Sequence, residues 1–189
     1  MIFLERITPQ NVLMFKAVRL RALQDAPSAF GSTYARESQC SDAEWLERAE
    51  KWSGERGIGY LAVDEGEACG IAGSFLSQHD PTCAHLISMC TAPTHRRQGV
   101  GRLLVGAILD WARQRGARTL RLMVTSNNEP AISFYQRLGF TLTGRTEPYP
   151  NDPALIEYEC HARFHEFSGA GHNRRSEWEL IGQSVANLR

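Results

Sequence analysis

Six consecutive residues carry the plainest chemical intent in this chain: Arg96-Arg97-Gln98-Gly99-Val100-Gly101. They follow an apolar run that ends at Ala92-Pro93 and precede a long helical pattern, which describes a strand, a tight loop and a helix start. The first turn of a helix has backbone N–H groups without an intrahelical acceptor, and the macrodipole adds partial positive charge there. Glycines at that point let an anion such as a phosphate come close. The stretch is built to hold an anion.

Spacing narrows which anion. A nucleotide P-loop needs Lys and then Ser or Thr after its second glycine, and Gly106 is followed by Ala107-Ile108. A dinucleotide fingerprint needs a third glycine where this chain has Leu104. Both readings fail, leaving the pattern Arg/Gln-x-x-Gly-x-Gly/Ala.

The elements that must position this loop are legible around it. Val100, Leu103, Leu104, Ala107, Ile108, Trp111 and Ala112 recur at helical spacing and give one apolar stripe, closed by Gly116. Upstream, an apolar strand is expected near residues 1–7 and a helix from Thr8-Pro9 to about Gln24, with Val12, Phe15, Arg19 and Ala22 on one face. Asp25 to Tyr34 reads as a loop or broken helix, and Ser41-x-x-Glu44 as a capping box opening a second helix. Ile58–Val63 and Cys69–Leu76 flank Asp64-Glu65-Gly66-Glu67 as a hairpin, and Ala84–Cys90 leads into the glycine loop. After the long helix, Thr119–Val124 fits a buried parallel strand. The loop therefore lies inside a βαβ crossover of a mixed α/β sheet.

One further stretch carries information. Asn127-Asn128-Glu129-Pro130 opens a helix with cap residues and a first-turn proline, Ala131, Phe134, Tyr135 and Leu138 share a face, and Gly139 ends it before Phe140. Asn128-x-x-Ala131-x-x-Phe134-Tyr135 with Leu138-Gly139-Phe140, one βαβ unit after the glycine loop, resembles the second motif of the GNAT superfamily of N-acetyltransferases, and Arg96–Gly101 resembles that family's pyrophosphate loop. The resemblance spans roughly residues 1 to 165. It implies a mostly antiparallel sheet with a central parallel crossover and helices on both faces. It leaves residues 166-189 as a tail, read as a linker with a short docking helix around Trp178.

The resemblance implies acetyl-CoA as co-substrate, held by Met89, Cys90 and Thr91 on the strand, by Arg96, Arg97, Gln98, Gly99, Val100, Gly101 and Arg102 in the loop, and by Asn128, Ala131 and Tyr135 on the later helix. An amide near Met89 or Cys90 would face the acetyl oxygen. Tyr135 becomes the candidate proton donor: a phenol near ~10 and a thiol near ~8.5 are close enough for useful transfer. The acceptor is expected to be a primary amine on a small molecule or a protein amino terminus, attacked directly in a ternary complex. Phe30, Tyr34, Glu37 and His85 are candidates for touching it. A base must take the amine's proton, and Ala84 to Thr91 contains no carboxylate, so His85, Ser88 and Glu37 stay open as choices. The alternative is an acyl-CoA-binding regulatory or scaffold module without turnover.

Composition excludes several classes. With 189 residues, 42% of them hydrophobic, the chain fits one domain with a real core. No apolar run nears the roughly 18 residues a bilayer span needs, so no membrane partner is expected. A formal net charge of zero gives nucleic acid no footprint. The amino-terminal residues lack a basic region followed by an apolar one, and the five cysteines contain no C-x-x-C pair, so a reducing cytoplasm is the expected location. Cys160-His161 with His165 has no second cluster to complete a ligand set, and no metal is expected. A homodimer is the assembly the resemblance implies. Glu37, Glu147 and Asp152 hint at an acidic lining for cationic acceptors.

Overall fold

The computed structural model of the chain describes residues 1–164; His165 and the expected tail at 166-189 lie outside them. Seven strands form one sheet in the order β1-β2-β3-β4-β5-β7-β6. They are β1 Phe3–Arg6, β2 Gly57–Asp64, β3 Glu67–Leu76, β4 Cys83–Thr91, β5 Thr119–Thr125, β6 Thr141–Pro148 and β7 Ile156–Arg163. Every neighbouring pair is antiparallel except β4 and β5. Parallel neighbours need a crossover that returns the chain to the same end, and a helix over Val100–Gln114 supplies it.

Among the described residues five α-helices flank the sheet: α1 Val12–Asp25, α2 Tyr34–Glu37, α3 Asp42–Lys51, α4 Val100–Gln114 and α5 Glu129–Arg137. Phe15 and Val18 of α1 and Trp45 and Ala49 of α3 pack with Ile7, Leu61, Val63 and Ile71 on one face. Leu104, Ile108 and Trp111 of α4 and Tyr135 of α5 pack with Leu86, Leu120, Val124 and Cys160 on the other. With both faces covered, β2 and β3 are buried almost throughout.

Local chemistry sets the joints. The Ser41 hydroxyl accepts from the Glu44 amide at 3.3 Å while Glu44 Oε2 accepts from the Ser41 amide at 2.7 Å, the reciprocal capping box that starts α3. Glu65 and Gly66, at φ of 51° and 85°, both take the left-handed conformation that a two-residue hairpin turn between right-twisted strands requires.

One expectation needs correction. The stripe on α4 is rotated: Val105 and Leu109 are buried, whereas Leu103 is 43% exposed. A 3.6-residue period accepts either neighbour, and the loop at Gly99 fixes the rotation. The sheet also places β7 between β5 and β6, an order that the linear sequence of strands does not announce.

Candidate active site

The site begins with a split in the sheet. β4 and β5 pair only at Cys83–Thr119, Ala84–Leu120 and His85–Arg121. β4 nevertheless stays on β3 as far as Thr91, and β5 stays on β7 as far as Thr125. The facing edges of Leu86–Thr91 and Leu122–Thr125 therefore carry no ladder to each other. A bulge separates the strands: Gly73 opposes Ile87 and Ile71 opposes Cys90, so β4 spends one residue more than β3 over this span, and Ser88 sits at φ 55°. Bulges bend and twist the strand that carries them. The result is a wedge lined by backbone N–H and C=O groups, suited to an extended ligand laid between strands.

At the mouth of the wedge stands the amino-terminal end of α4. No side chain caps it and no acidic residue occupies its first turn. Gly99, at φ 85°, holds the left-handed turn into the helix, and a Cβ there would meet nothing within 4 Å. The approach to these amides is therefore open, as an incoming pyrophosphate requires. Arg96 donates from Nε to the Thr91 carbonyl at 3.2 Å, and Gln98 donates from Nε2 to the Thr94 carbonyl at 2.8 Å. These two side chains brace the loop on itself. Arg97, at φ 64°, and Arg102 are exposed and free to meet phosphate charge. Val100 is buried under the loop. A Cβ on Gly101 would lie 3.0 Å from Phe134 Cζ and 3.2 Å from Met89 Cε, so this glycine lets α4, α5 and β4 close together.

α5 brings the second motif to the same place. Asn128 caps the helix, its side chain accepting from the Ala131 amide at 3.3 Å. That leaves Asn128 and Ala131 forming the turn that orients Tyr135. Tyr135 is 8% exposed, with its ring 5.6 Å from Phe140 and 5.2 Å from Phe134. Burial pushes its phenol far above the ordinary range, with smaller contributions from Cys160 of β7 and Cys90 of β4. Tyr135 therefore stays protonated at any physiological pH. Cys90 is also raised by burial, so its thiol is not an activated nucleophile.

On the opposite face of the sheet, the sequence candidates separate. Glu37 is buried, taking Arg19 Nη2 at 2.8 Å and Nε at 3.1 Å, and Arg48 Nη1 at 3.1 Å. Burial alone would raise its carboxyl; the hydrogen bonds and charge of Arg19, with Ser32 and Arg48, more than offset this and hold it below 4.5. A carboxylate so paired is a poor proton acceptor, which removes Glu37 as the base. Its pairing also cancels the acidic lining expected of it. Phe30 is buried with the Arg19 guanidinium 4.7 Å from its ring centroid, while Tyr34 at the start of α2 is 40% exposed. His85 stacks on Phe75 at 5.0 Å, in the closed part of the sheet where β4 still pairs with β5. Burial and Arg121 lower its pKa. It lies four strand residues from Met89, roughly 13 Å along β4, and the structure does not bring it to the others.

Ser88 does face that side, beside Arg19, Arg48 and Glu37. In the sequence Arg19 is only part of a helical face and Arg48 carries no signal, because a triad spread over α1, α2 and α3 has no local spacing. The segment around Phe30 meets the turn between β6 and β7. Tyr149 donates its hydroxyl proton to the Phe30 carbonyl at 2.8 Å, Asn151 Nδ2 donates to the same carbonyl at 2.9 Å, and Thr125 Oγ1 donates to the Ser28 carbonyl at 2.7 Å. They close over the open end of β5. Among the described residues, no group of three or more His, Cys, Asp or Glu side chains is placed to hold a metal ion.

A bulged, split parallel pair with an uncapped helix facing the split is the geometry that the resemblance to the acetyltransferases implies. The sequence pattern of the acetyltransferase (GNAT) family matches residues 20–140, and the chain belongs to that family. Streptothricin acetyltransferase of Streptomyces lavendulae is 51% identical over 53 residues, 28% of this chain and 28% of that one. The ribosomal protein bS18 alanine N-acetyltransferase of Escherichia coli K12 is 34% identical over 98 residues, 51% of this chain and 64% of that one. The chain thus spans less than two thirds of the length of either relative. A structure from Salmonella typhimurium, described with acetyl-CoA as its cofactor, superposes with a TM-score of 0.72 at 15% identity over 90% of this chain and 98% of that one, a likeness of fold. Acetyl-CoA is the co-substrate that family membership brings, and the open turn at Gly99 fits its pyrophosphate.

Proposed function

We propose that the protein transfers the acetyl group of acetyl-CoA to a primary amine by direct attack within a ternary complex. The observation that carries this reading is Tyr135, buried on α5 against Phe134 and Phe140 near Cys90 of β4 and Cys160 of β7, while no activated nucleophile faces it among the described residues. Acetyl-CoA supplies the thioester carbon that the amine attacks. The α4 amino terminus, with Arg97 and Arg102, anchors the phosphates; the unpaired β4 edge at Met89 and Thr91, on either side of Cys90 whose amide faces β3, offers N–H donors to the acetyl oxygen and its oxyanion. Tyr135 donates its proton to the sulfur as the C–S bond breaks, and the attacking nitrogen sheds its own proton through water, which restores the phenol and balances the transfer. The burial that raises the phenol also raises a thiolate expelled beside it, so the two stay close enough for the proton to pass. Held together, amine and thioester gain the advantage of proximity. The acceptor enters from the face of Ser88 and Phe30, under the joined loops.

Initial rates measured with both substrates varied test the order of events. Intersecting reciprocal plots, with Cys90→Ala retaining turnover, are expected. Parallel plots, or an acetylated protein formed without acceptor, would replace direct attack with an acyl-enzyme route through Cys90.

Two attributes go with this reading. A reducing cytoplasm suits five cysteines that form no disulfide among the described residues, and no described helix is long and apolar enough to cross a membrane. A homodimer is supported by β6, an edge strand exposed over its whole length; light scattering at the mass of a single chain would remove it.

A further inference from the structure

A cavity of about 210 Å³ lies between α1, α3 and the β4 bulge, lined by Arg19, Glu37, Arg48, Lys51, Trp52 and Ser88 among others. It is on the acceptor's side. Ser88 and Cys90 alternate onto the face that α1 covers, while Leu86 and Met89 pack toward α4 and the phosphate loop. Three cations and one carboxylate line it. Glu37 spends both oxygens on Arg19 and Arg48, and Lys51 is tied to Glu47 outside at 2.7 Å, which leaves one positive charge unmatched in the wall. Arg19 is the fixed part. Its Nε and Nη2 edge is clamped by Glu37 and its face is covered by Phe30, so the guanidinium cannot turn. Its Nη1 is buried and has no hydrogen-bond partner. A buried donor without an acceptor is costly, and native proteins keep few of them. Arg19 lines the cavity, and a guanidinium held planar with one amino group unpartnered suits a carboxylate oxygen.

We propose that this cavity binds a carboxylate on the acceptor, so that the enzyme selects amines bearing a carboxylate, of the size of an α-amino acid, over polycationic amines. The inference rests on the acetyl-transfer reading for the amine's destination. Ser88 borders the cavity and precedes Met89 on the split edge, so a carboxylate against Arg19 and Arg48 leaves an amine a few bonds away directed into the wedge. Trp52 and Phe15 supply an apolar wall for the carbon skeleton.

The test uses matched acceptors: the common α-amino acids, their amides, and the amines lacking the carboxylate, assayed for coenzyme A release. A second measurement titrates N-acetyl amino acids and their amides into the CoA-loaded protein by calorimetry. Acids should be preferred over amides by about 10-fold or more in both, as for hydrogen bonds to charged groups. Arg48→Gln, at a half-exposed position, should erase that preference while leaving acetyl-CoA affinity unchanged. A purely structural role for Arg48 would lower affinity for acids and amides alike. Equal or better performance of amides or plain amines in either measurement overturns the proposal, as does failure of the N-acetyl acids to bind. If the N-acetyl acids bind and Arg48→Gln weakens them but no acceptor is acetylated, the subsite stands and the transfer reading falls. If peptides or polyamines are acetylated and no acid binds, the reverse holds.

Discussion

Tyr135→Phe is the sharpest perturbation of the proposed chemistry, because it removes one oxygen and keeps the ring. The ring's packing on Phe134 and Phe140 is retained, and the loss falls on what the hydroxyl does. Tyr135 is 8% exposed, and burial holds its phenol protonated. A hydrogen bond from such a donor to a developing thiolate is charge-assisted and forms in a low dielectric, worth about 1.5–3 kcal/mol. At 1.36 kcal/mol for each factor of ten, kcat should fall by roughly 10- to 150-fold. General acid catalysis proper would extend the loss toward about 10³. The thioester is not yet broken in the ground state, so the Kd for acetyl-CoA should change by less than about twofold. The assay pairs coenzyme A release at saturating substrates with calorimetry for acetyl-CoA and a melting curve. Because the phenol's pKa is raised, the wild-type profile should show no loss from Tyr135 ionisation below pH ~10. A kcat within threefold of wild type would refute the donor assignment. A fall in kcat matched by an equal loss of acetyl-CoA affinity or a collapsed melting curve would refute the reasoning that separates binding from chemistry.

Other substitutions separate loop conformation from packing and test the buried ion pairs. Gly99→Ala forces a side chain into a left-handed turn, a strain of about 1–2 kcal/mol, with open space around it; melting temperature should fall by about 2–8 °C, and relaxation of the loop should lower acetyl-CoA affinity by roughly tenfold. Gly101→Val instead meets Phe134 and Met89 at 3.0 and 3.2 Å, so it should lower stability by about 1–3 kcal/mol, read from urea unfolding; unchanged stability would place its side chain elsewhere. Glu37→Gln removes the charge and turns one of the two acceptor oxygens into an NH2 donor facing an arginine, and breaking such a buried pair costs about 3–5 kcal/mol. The folded protein holds Glu37 below its ordinary 4.5, so its stabilisation is present above that pH and is lost as pH falls through the folded value. Melting temperature should therefore drop on acidification below about pH 4.5, and less steeply in Glu37→Gln; identical slopes would contradict the pairing.

Much of the site was legible because its signals are local. Gly99 must be glycine for its own backbone, Asn128 caps the helix it starts, and Ser41 with Glu44 closes a box within one turn; each depends on neighbours a few residues away. The hairpin at Glu65-Gly66 is of the same kind. What escaped depends on distant partners. The bulge at Ser88 arises from how β4 registers on β3, and nothing in Ala84–Thr91 announces an extra residue. The rotation that exposes Leu103 is set by the loop and the sheet together. Glu37 read as a lone carboxylate near a binding loop, hence as a base or an acceptor contact, and only α1 and α3 folding back on α2 turns it into the counter-ion of Arg19 and Arg48. His85 had the right residue type on the right strand, but lies at the end where the strands are still joined.

The most direct measurement of the central claim is release of coenzyme A thiol from acetyl-CoA across amino acids, short peptides, polyamines and aminoglycosides, with mass spectrometry of each acceptor and Tyr135→Phe run alongside. The account predicts an N-acetylated product from at least one amine, formed in step with free thiol and sharply reduced in the variant. Acetyl-CoA bound without any acetylated amine, or thiol release that Tyr135→Phe leaves intact, would contradict it.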